Sequence, residues 1–107
     1  MIIETVGVTG SSAKNEELAR GLRSLLGPMR VEEGCVGCRL FQDSTNANSF
    51  RLEACWRTED DLRRHVRSDV YKKLLVLIEM GAEPPTIEFH NVSDTRGMEF
   101  IQAVRQG

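Results

Sequence analysis

The chain has 107 residues, 14 of them Lys or Arg and 16 Asp or Glu, so its formal net charge is −2. This length fits one domain, and 40% hydrophobic residues suffice for a modest core, which excludes a disordered, collagen-like or disulfide-scaffold chain. The charge balance argues against a nucleic-acid or anionic-membrane surface, and the longest apolar run, 74–78, is too short to cross a bilayer. Three cysteines and no visible secretory signal predict a cytoplasmic protein.

The first third of the chain predicts a strand and then a helix. Residues 2–9 are apolar and β-branched on both alternations, which indicates a strand covered on two faces. Ser11 and Ser12 offer hydroxyl N-caps for a helix whose apolar stripe runs from Leu18 to Met29. Gly27-Pro28 predicts that this helix kinks or ends there, with 29–33 as an irregular turn.

The rest of the chain predicts a hairpin, a second helical region and a last strand. Residues 35–43 and 49–57 are strand-like and are separated by turn residues, 44–48. Thr58 begins a capping pattern for a helix, and Ser68-Asp69 resembles a second cap. A fourth strand follows at 86–92, and a short, weakly helical stretch covers 98–104.

This order, β-α-β-β-α-β with a C-terminal extension, predicts an α+β, ferredoxin-like domain with a four-stranded antiparallel sheet and helices on one face. We expect the domain to span 1–93 and the tail, 94–107, to pack on it or on a partner. Apolar residues are expected on the face without helices, and burying them predicts a homodimer in which two sheets pack together. These residues are Cys35, Phe41, Ile87 and Phe89.

Three motifs in this order and spacing resemble the antibiotic biosynthesis monooxygenase family. They are Gly34-Cys35-Val36-Gly37-Cys38 at the second strand, Trp56 at the end of the third, and Leu62, His65 and Ser68 in an L-x-x-H-x-x-S pattern. The resemblance covers about residues 2–93 and implies a dimeric α+β barrel.

Members of that family differ in chemistry. Some are cofactor-free monooxygenases of phenolic polyketides or quinols, one branch cleaves haem, and many have no known reaction. The resemblance implies a cofactor-independent monooxygenase that uses molecular oxygen on a small aromatic phenol or quinol. The alternative is a non-catalytic, dimeric ligand-binding or stress-associated domain, and a haem-degrading monooxygenase is third. The haem-cleaving branch has an Asn on its first strand that 2–9 lacks, and only Glu53 remains of the acid pair often found before the Trp.

Trp56 and His65 are the candidate catalytic residues. Trp56 shares an alternation with Phe50 and Leu52, so it is either a core anchor or the wall of a pocket for a flat substrate, with those two as further substrate contacts. His65 lies at the border of an apolar helical stripe, so it is either a partly exposed histidine or a general base. The family's His falls at this position, which implies the second role.

Other polar side chains are weaker candidates. Tyr71 is positioned to bind a substrate oxygen, although packing is its simpler role, and His90 is a second histidine that faces solvent in the simplest interpretation. The strand arginines are expected at the surface, and one of them, with Arg39 preferred, is a candidate for stabilising a phenolate or reduced-oxygen anion. They are Arg39, Arg51 and Arg57.

Cys35 and Cys38 have the two-residue spacing of a redox or zinc pair. In a regular strand, residues three apart point to opposite faces, so we expect them not to meet. Cys55 is the only further thiol, and no second ligand pair is present. The sequence therefore predicts buried thiols without a metal.

Overall fold

The computed structural model describes residues 1–107, and its elements follow the predicted order with two additions. The strands are β1 (Ile2–Thr9), β2 (Cys35–Gln42), β3 (Ser49–Trp56) and β4 (Thr86–Asn91). The helices are α1 (Asn15–Arg30), α2 (Glu59–Val66), α3 (Asp69–Ile78) and α4 (Met98–Gln106). The second helical region is thus two helices, and the tail is a helix of its own. No helix combines the length and apolar character that a membrane span requires.

The four strands form one antiparallel sheet in the order β2-β3-β1-β4, as the ferredoxin-like prediction requires. The two central strands pair in register from Ile2 opposite Trp56 to Thr9 opposite Ser49. α1 packs on β2, α2 on β3, and α3 on α1, so the helices cover one face of the sheet and leave β4 at an edge. Sixteen buried apolar residues form the core between these layers.

Two details of α1 differ from the prediction. The helix begins at Asn15 with no side-chain cap bond, because residues after Ser11 first form a turn in which Lys14 N–H donates to Ser11 O, 3.1 Å away. It also continues through Pro28 to Arg30. The last turn is held by Met29, which is fully buried, and by Arg30, whose Nε and Nη2 donate to Cys38 O at 3.1 and 2.9 Å. These contacts outweigh the single backbone bond that proline removes.

A β-bulge at the start of β2 changes the predicted faces of the cysteines. Cys35 pairs with Trp56 and Cys38 with Ala54, while the register shifts by one residue between Cys35 and Gly37. Trp56 and Ala54 both face the helices, so both cysteines lie on that face. The prediction that Cys35 faces away from the helices, and that the two thiols point apart, was therefore wrong.

Ile87 and Phe89 also lie on the other face from the one predicted. They pair with Val6 and Glu4, whose side chains are buried under the helices, yet they remain 40% and 45% exposed. Edge strand β4 simply extends beyond the helical layer. The face without helices is correspondingly more polar than expected. Besides Ile3 and Phe41 it presents Thr5, Arg39, Arg51, Glu53, Glu88 and His90.

Candidate functional site

Two ionisable side chains lie inside the otherwise apolar core. Glu4 and His65 are each 1% exposed, and they are the only polar or charged residues among those that are buried. Burying an ionisable group costs several kcal/mol unless it is paired and hydrogen-bonded. Burying this pair does not by itself make a domain of this size more stable. The two residues therefore mark a candidate functional site.

Glu4 is held by the central strands. It occupies the middle of β1, on the face that also buries Ile2 and Val6, where the alternation of the strand allows no escape to solvent. Trp56, at the end of β3, donates from Nε1 to Glu4 Oε1 over 3.0 Å. The indole that anchors the core is therefore also the hydrogen-bond donor that fixes the carboxylate.

His65 is placed by two caps. Thr58 Oγ1 accepts from Asp61 N–H at 3.2 Å and starts α2, and Ser68 Oγ accepts from Tyr71 N–H at 3.2 Å and starts α3. His65 is in the last turn of α2 and points into the core. The capped junction of the two helices thus fixes both His65 and Tyr71.

The His65 ring lies between two carboxylates. Nδ1 is 2.9 and 3.1 Å from the two Glu32 oxygens, and since an ionised carboxylate only accepts, Nδ1 carries the proton. Nε2 lies 3.4 Å from Glu4 Oε1, an ion-pair distance without hydrogen-bond geometry. Glu32 reaches the ring from the segment after α1, where Gly34 adopts φ +82° and turns the chain into β2.

Two aromatic rings complete the surroundings of His65. Trp56 stacks on it with 4.3 Å between ring centroids and 25° between planes. Tyr71 meets it edge-on, at 5.1 Å and 88°. The indole face favours a cation above it, so it supports the charged imidazole along with the two carboxylates.

The pKa of His65 is raised above its ordinary value near 6.5. Burial of the ring opposes its charged form, but the Glu4 and Glu32 carboxylates together outweigh that effect. Burial, and then the Glu4 charge, raise the pKa of the Tyr71 hydroxyl. The site therefore favours an imidazolium between two carboxylates, beside a phenol that stays protonated.

Two buried atoms of this cluster have no hydrogen-bond partner, Glu4 Oε2 and His65 Nε2. They belong to the two residues that already form the ion pair, in which Nε2 lies 3.4 Å from the other Glu4 oxygen, Oε1. Buried polar atoms are rarely left unpaired in native proteins. Together they can bind a hydroxyl group, accept its proton and stabilise the anion that results.

A groove of about 420 Å³ lies next to this cluster, between α2, α3 and β4. Tyr71 both lines the groove and contacts the His65 ring, and Phe89 on the β4 side is the strand partner of Glu4. The other lining residues are Glu59, Leu62, Arg63, Val66 and Arg67. We name this the α2–α3–β4 groove. Tyr71, which is 6% exposed, lies between the groove and the His65 ring, and Leu62, which is 8% exposed, is the other buried residue of the lining.

The structure gathers only part of the predicted site. Trp56, His65 and Tyr71 come together, whereas Phe50 and Leu52 lie farther along β3 in the core. Arg39, Arg51 and His90 are on the opposite face of the sheet and exposed, and Arg57 is exposed after β3. The roles assigned to all these residues stay predictions.

Sequence reasoning did not select Glu4 or Glu32, which complete the cluster. A signal for Glu4 was present, since it interrupts the apolar alternation of Ile2, Val6 and Val8 on the buried face of β1. The sequence gives no such signal for Glu32, because this residue lies in a turn among several charged residues and meets His65 only in the folded chain.

Other parts of the molecule lack these features. A depression of about 460 Å³ on the face without helices is lined by Gly7, Phe41, Arg51 and Thr86 among others, with no buried ionisable side chain. The three cysteines are free, and no group of three His, Cys, Asp or Glu side chains is arranged to hold a metal ion. Burial raises the pKa of the Cys38 thiol to about 12, so this sulfur is an inert part of the core.

The fold and the cluster define a ferredoxin-like α+β domain with a buried acid–imidazole site beside an apolar groove. A sequence model of one family, antibiotic biosynthesis monooxygenase, matches residues 1–75. The chain belongs to the antibiotic biosynthesis monooxygenase family.

Solved structures of similar proteins confirm the fold. A Deinococcus radiodurans protein, provisionally named an antibiotic biosynthesis monooxygenase, superposes with a TM-score of 0.82 at 16% identity, over 91% of this chain and 97% of its own. Rv0793 from Mycobacterium tuberculosis superposes with a TM-score of 0.80 at 18% identity, over 90% of this chain and 98% of its own.

A relative was also found by sequence. The uncharacterized protein sll1783 from Synechocystis sp. is 25% identical over 84 residues, which are 78% of this chain. The match spans 57% of that longer protein.

Proposed function

We propose that the protein is a cofactor-independent monooxygenase of a small aromatic phenol or quinol, bound in the α2–α3–β4 groove. The observation that carries this proposal is the pair of unpartnered buried atoms, Glu4 Oε2 and His65 Nε2, behind the groove. The substrate's own electrons reduce oxygen, so the reaction needs a base and an anion-stabilising group and no electron-carrying cofactor.

In the proposed reaction, Tyr71 and Leu62 swing aside, and the substrate hydroxyl donates to Glu4 Oε2. The Glu4 carboxylate takes the proton in place of His65, the base that the sequence predicted, because the imidazole between two carboxylates is already protonated. The imidazolium of His65 instead stabilises the substrate anion electrostatically. Trp56 and Glu32 are positioning residues, since one fixes Glu4 by its 3.0 Å bond and the other fixes the His65 ring through Nδ1.

The anion then passes one electron to molecular oxygen, and the substrate radical and superoxide combine into a peroxide on a ring carbon. The O–O bond breaks, and one oxygen stays on that carbon as a carbonyl. The other leaves as water with the two hydrogens that the substrate has lost. Substrate and oxygen thus give ketone or quinone and water, with electrons and atoms balanced.

Oxygen uptake with a naphthohydroquinone or an anthrone, corrected for spontaneous oxidation, tests this function. We expect Glu4→Gln and His65→Ala to reduce the rate by about 10²-fold or more, the usual cost of losing a general base or its partner. Glu53→Gln, a half-buried acid on the opposite face, is the matched control and keeps the wild-type rate. A wild-type rate equal to spontaneous oxidation, or full activity in Glu4→Gln, would overturn the proposal.

A second function is sequestration of an apolar ligand without turnover. It is favoured because the cluster around His65 is closed off from solvent. Trp56 and His65 are 0% and 1% exposed, and Tyr71, which contacts His65 and lines the groove, is 6% exposed. Tight binding of the hydroquinone by calorimetry, with no oxygen consumption, would support this function instead of the monooxygenase.

We also propose that the working form is a cytoplasmic homodimer of the 1–93 domain with its 94–107 tail. Exposed apolar side chains at three places support an association, namely Phe41, Phe89 and the α4 helix. Light scattering at micromolar concentration should give twice the 12.0 kDa chain mass. A clean particle of the single chain mass would contradict the dimer.

A further inference from the structure

We propose that α4 of one chain packs over the open side of the α2–α3–β4 groove of a second copy, so that each candidate site, with the space for its substrate, is closed by its partner. The inference uses the groove whose function is proposed above, but its support and its test do not depend on activity.

The α4 helix is too short to be stable without packing. It has nine residues, its N-cap Gly97 makes no side-chain bond, and none of its residues is buried on its own chain. Isolated helices shorter than about 12–15 residues are marginal in water even with good helix formers. A helix of this length therefore depends on a surface that its own domain does not supply.

One side of α4 is mostly apolar. Four exposed residues, Met98, Phe100, Ile101 and Val104, lie within the arc that helical spacing places on one side, and they are 44–64% exposed. Arg105 lies near the edge of the same arc. Such a side is expected to be covered in the native assembly.

The α2–α3–β4 groove is the complementary surface in the same chain. Four of its seven lining residues are apolar, and Val66 and Phe89 on its two walls remain 41% and 45% exposed. A nine-residue helix is about 13 Å long and suits a groove formed between two helices and a strand.

Chain length allows the same pairing. The Val92 N–H donates a hydrogen bond to Met1 O at 2.9 Å, so the chain stays attached to the end of the sheet up to this residue. The six residues 92–97 then connect the sheet to α4 and can span about 20 Å. Exchange of α4 between two copies is reciprocal and closes as a two-fold dimer.

Photo-crosslinking of the full chain tests the exchange. With Ile101→p-benzoylphenylalanine, illumination should give a covalent product of twice the 12.0 kDa chain mass, with the crosslink in peptides from 59–71 or 86–91. The same replacement at Gln106, on the opposite side of α4, is the control and should give little of it. A crosslink within one chain, which leaves the mass unchanged, or one that maps to other peptides, would overturn the proposal.

A second variant pair checks the groove. Val66→Asp should lower the crosslinking yield by about tenfold or more, the effect of placing a charge in an apolar contact. Val76→Asp, on α3 outside the groove, where the valine is 62% exposed against 41% for Val66, should leave it unchanged. Equal yields in the two variants would also overturn the exchange. Since neither readout involves oxygen uptake, an inactive protein that crosslinks as expected would reject the monooxygenase and keep this inference.

Discussion

Charged residues are usually exposed and apolar residues usually buried, and the covered part of the sheet and its free edge depart from this distribution in opposite ways. Under the helices, a carboxylate from β1 and an imidazole from α2 are buried among apolar side chains, whereas β4 and α4 leave Phe89, Ile101 and their neighbours exposed. Each arrangement is costly by itself. The charge inside points to chemistry and the apolar surface outside points to a partner, and the α2–α3–β4 groove lies where the two regions meet.

The largest effect is expected from removing the anchor of the covered region. Trp56→Ala should lower the free energy of unfolding by about 3–5 kcal/mol, because it leaves a large cavity and frees Glu4 of its donor. Trp56→Phe keeps most of the stacking on His65 and should lose about 1–2 kcal/mol. Urea denaturation measures both. A Trp56→Ala protein as stable as wild type would contradict the assignment of this residue as the anchor.

The two carboxylates that flank His65 should differ in importance. Glu4→Gln should destabilise the protein by about 1–3 kcal/mol at pH 6, since it removes the buried counter-charge of the imidazolium. Glu32→Gln should cost less, about 1 kcal/mol or below, because the Glu32 side chain is 19% exposed and keeps an acceptor for Nδ1. In the His65→Gln background both effects should shrink, which a double-mutant cycle in urea measures. Undiminished effects would mean that neither acid acts through His65.

The charge on His65 should make the protein less stable as pH rises. The folded state keeps this proton above the ordinary pKa near 6.5, where the unfolded chain has released it. The contribution is therefore complete below about pH 6.5 and is lost as pH rises through the raised pKa of the folded state. Unfolding free energies measured across this range should decline in wild type and stay flatter in His65→Gln. The exposed His90 remains in both proteins as an internal control.

The smallest effect is expected in the free region. Ile101→Asp should change the stability of the dilute chain by about 0.5 kcal/mol or less, as is usual for an exposed position. The melting temperature of wild type should rise with protein concentration, while that of Ile101→Asp should not, because only an associated α4 adds stability. Gln106→Asp, on the opposite side of α4, should behave as wild type. If the melting temperature of wild type did not depend on protein concentration, association of α4 would not stabilise the protein, and this prediction would be wrong.

The sequence determined the elements and their order because local signals sufficed for them. Apolar alternation defined the four strands, and the hydroxyls of Thr58 and Ser68 marked the starts of two helices. The family motifs also led to Trp56 and His65, which do lie together. Pro28 was misleading, since a local preference yields where the buried Met29 and the Arg30 bonds to Cys38 hold the last turn.

Only the tertiary structure decided which side chains meet. The β-bulge at Cys35 places that residue on the face of the sheet that the helices cover. Because β4 is an edge strand, Phe89 lies beside Glu4 but is only partly covered by the helices. Glu4, Glu32 and His65 come from three separate parts of the chain, a strand, a turn and a helix, 28 and 33 residues apart in sequence, and nothing local joins them. Their meeting is a product of long-range pairing, because the packing of α2 onto β3 fixes His65 over Trp56 and thereby beside the one carboxylate that β1 buries.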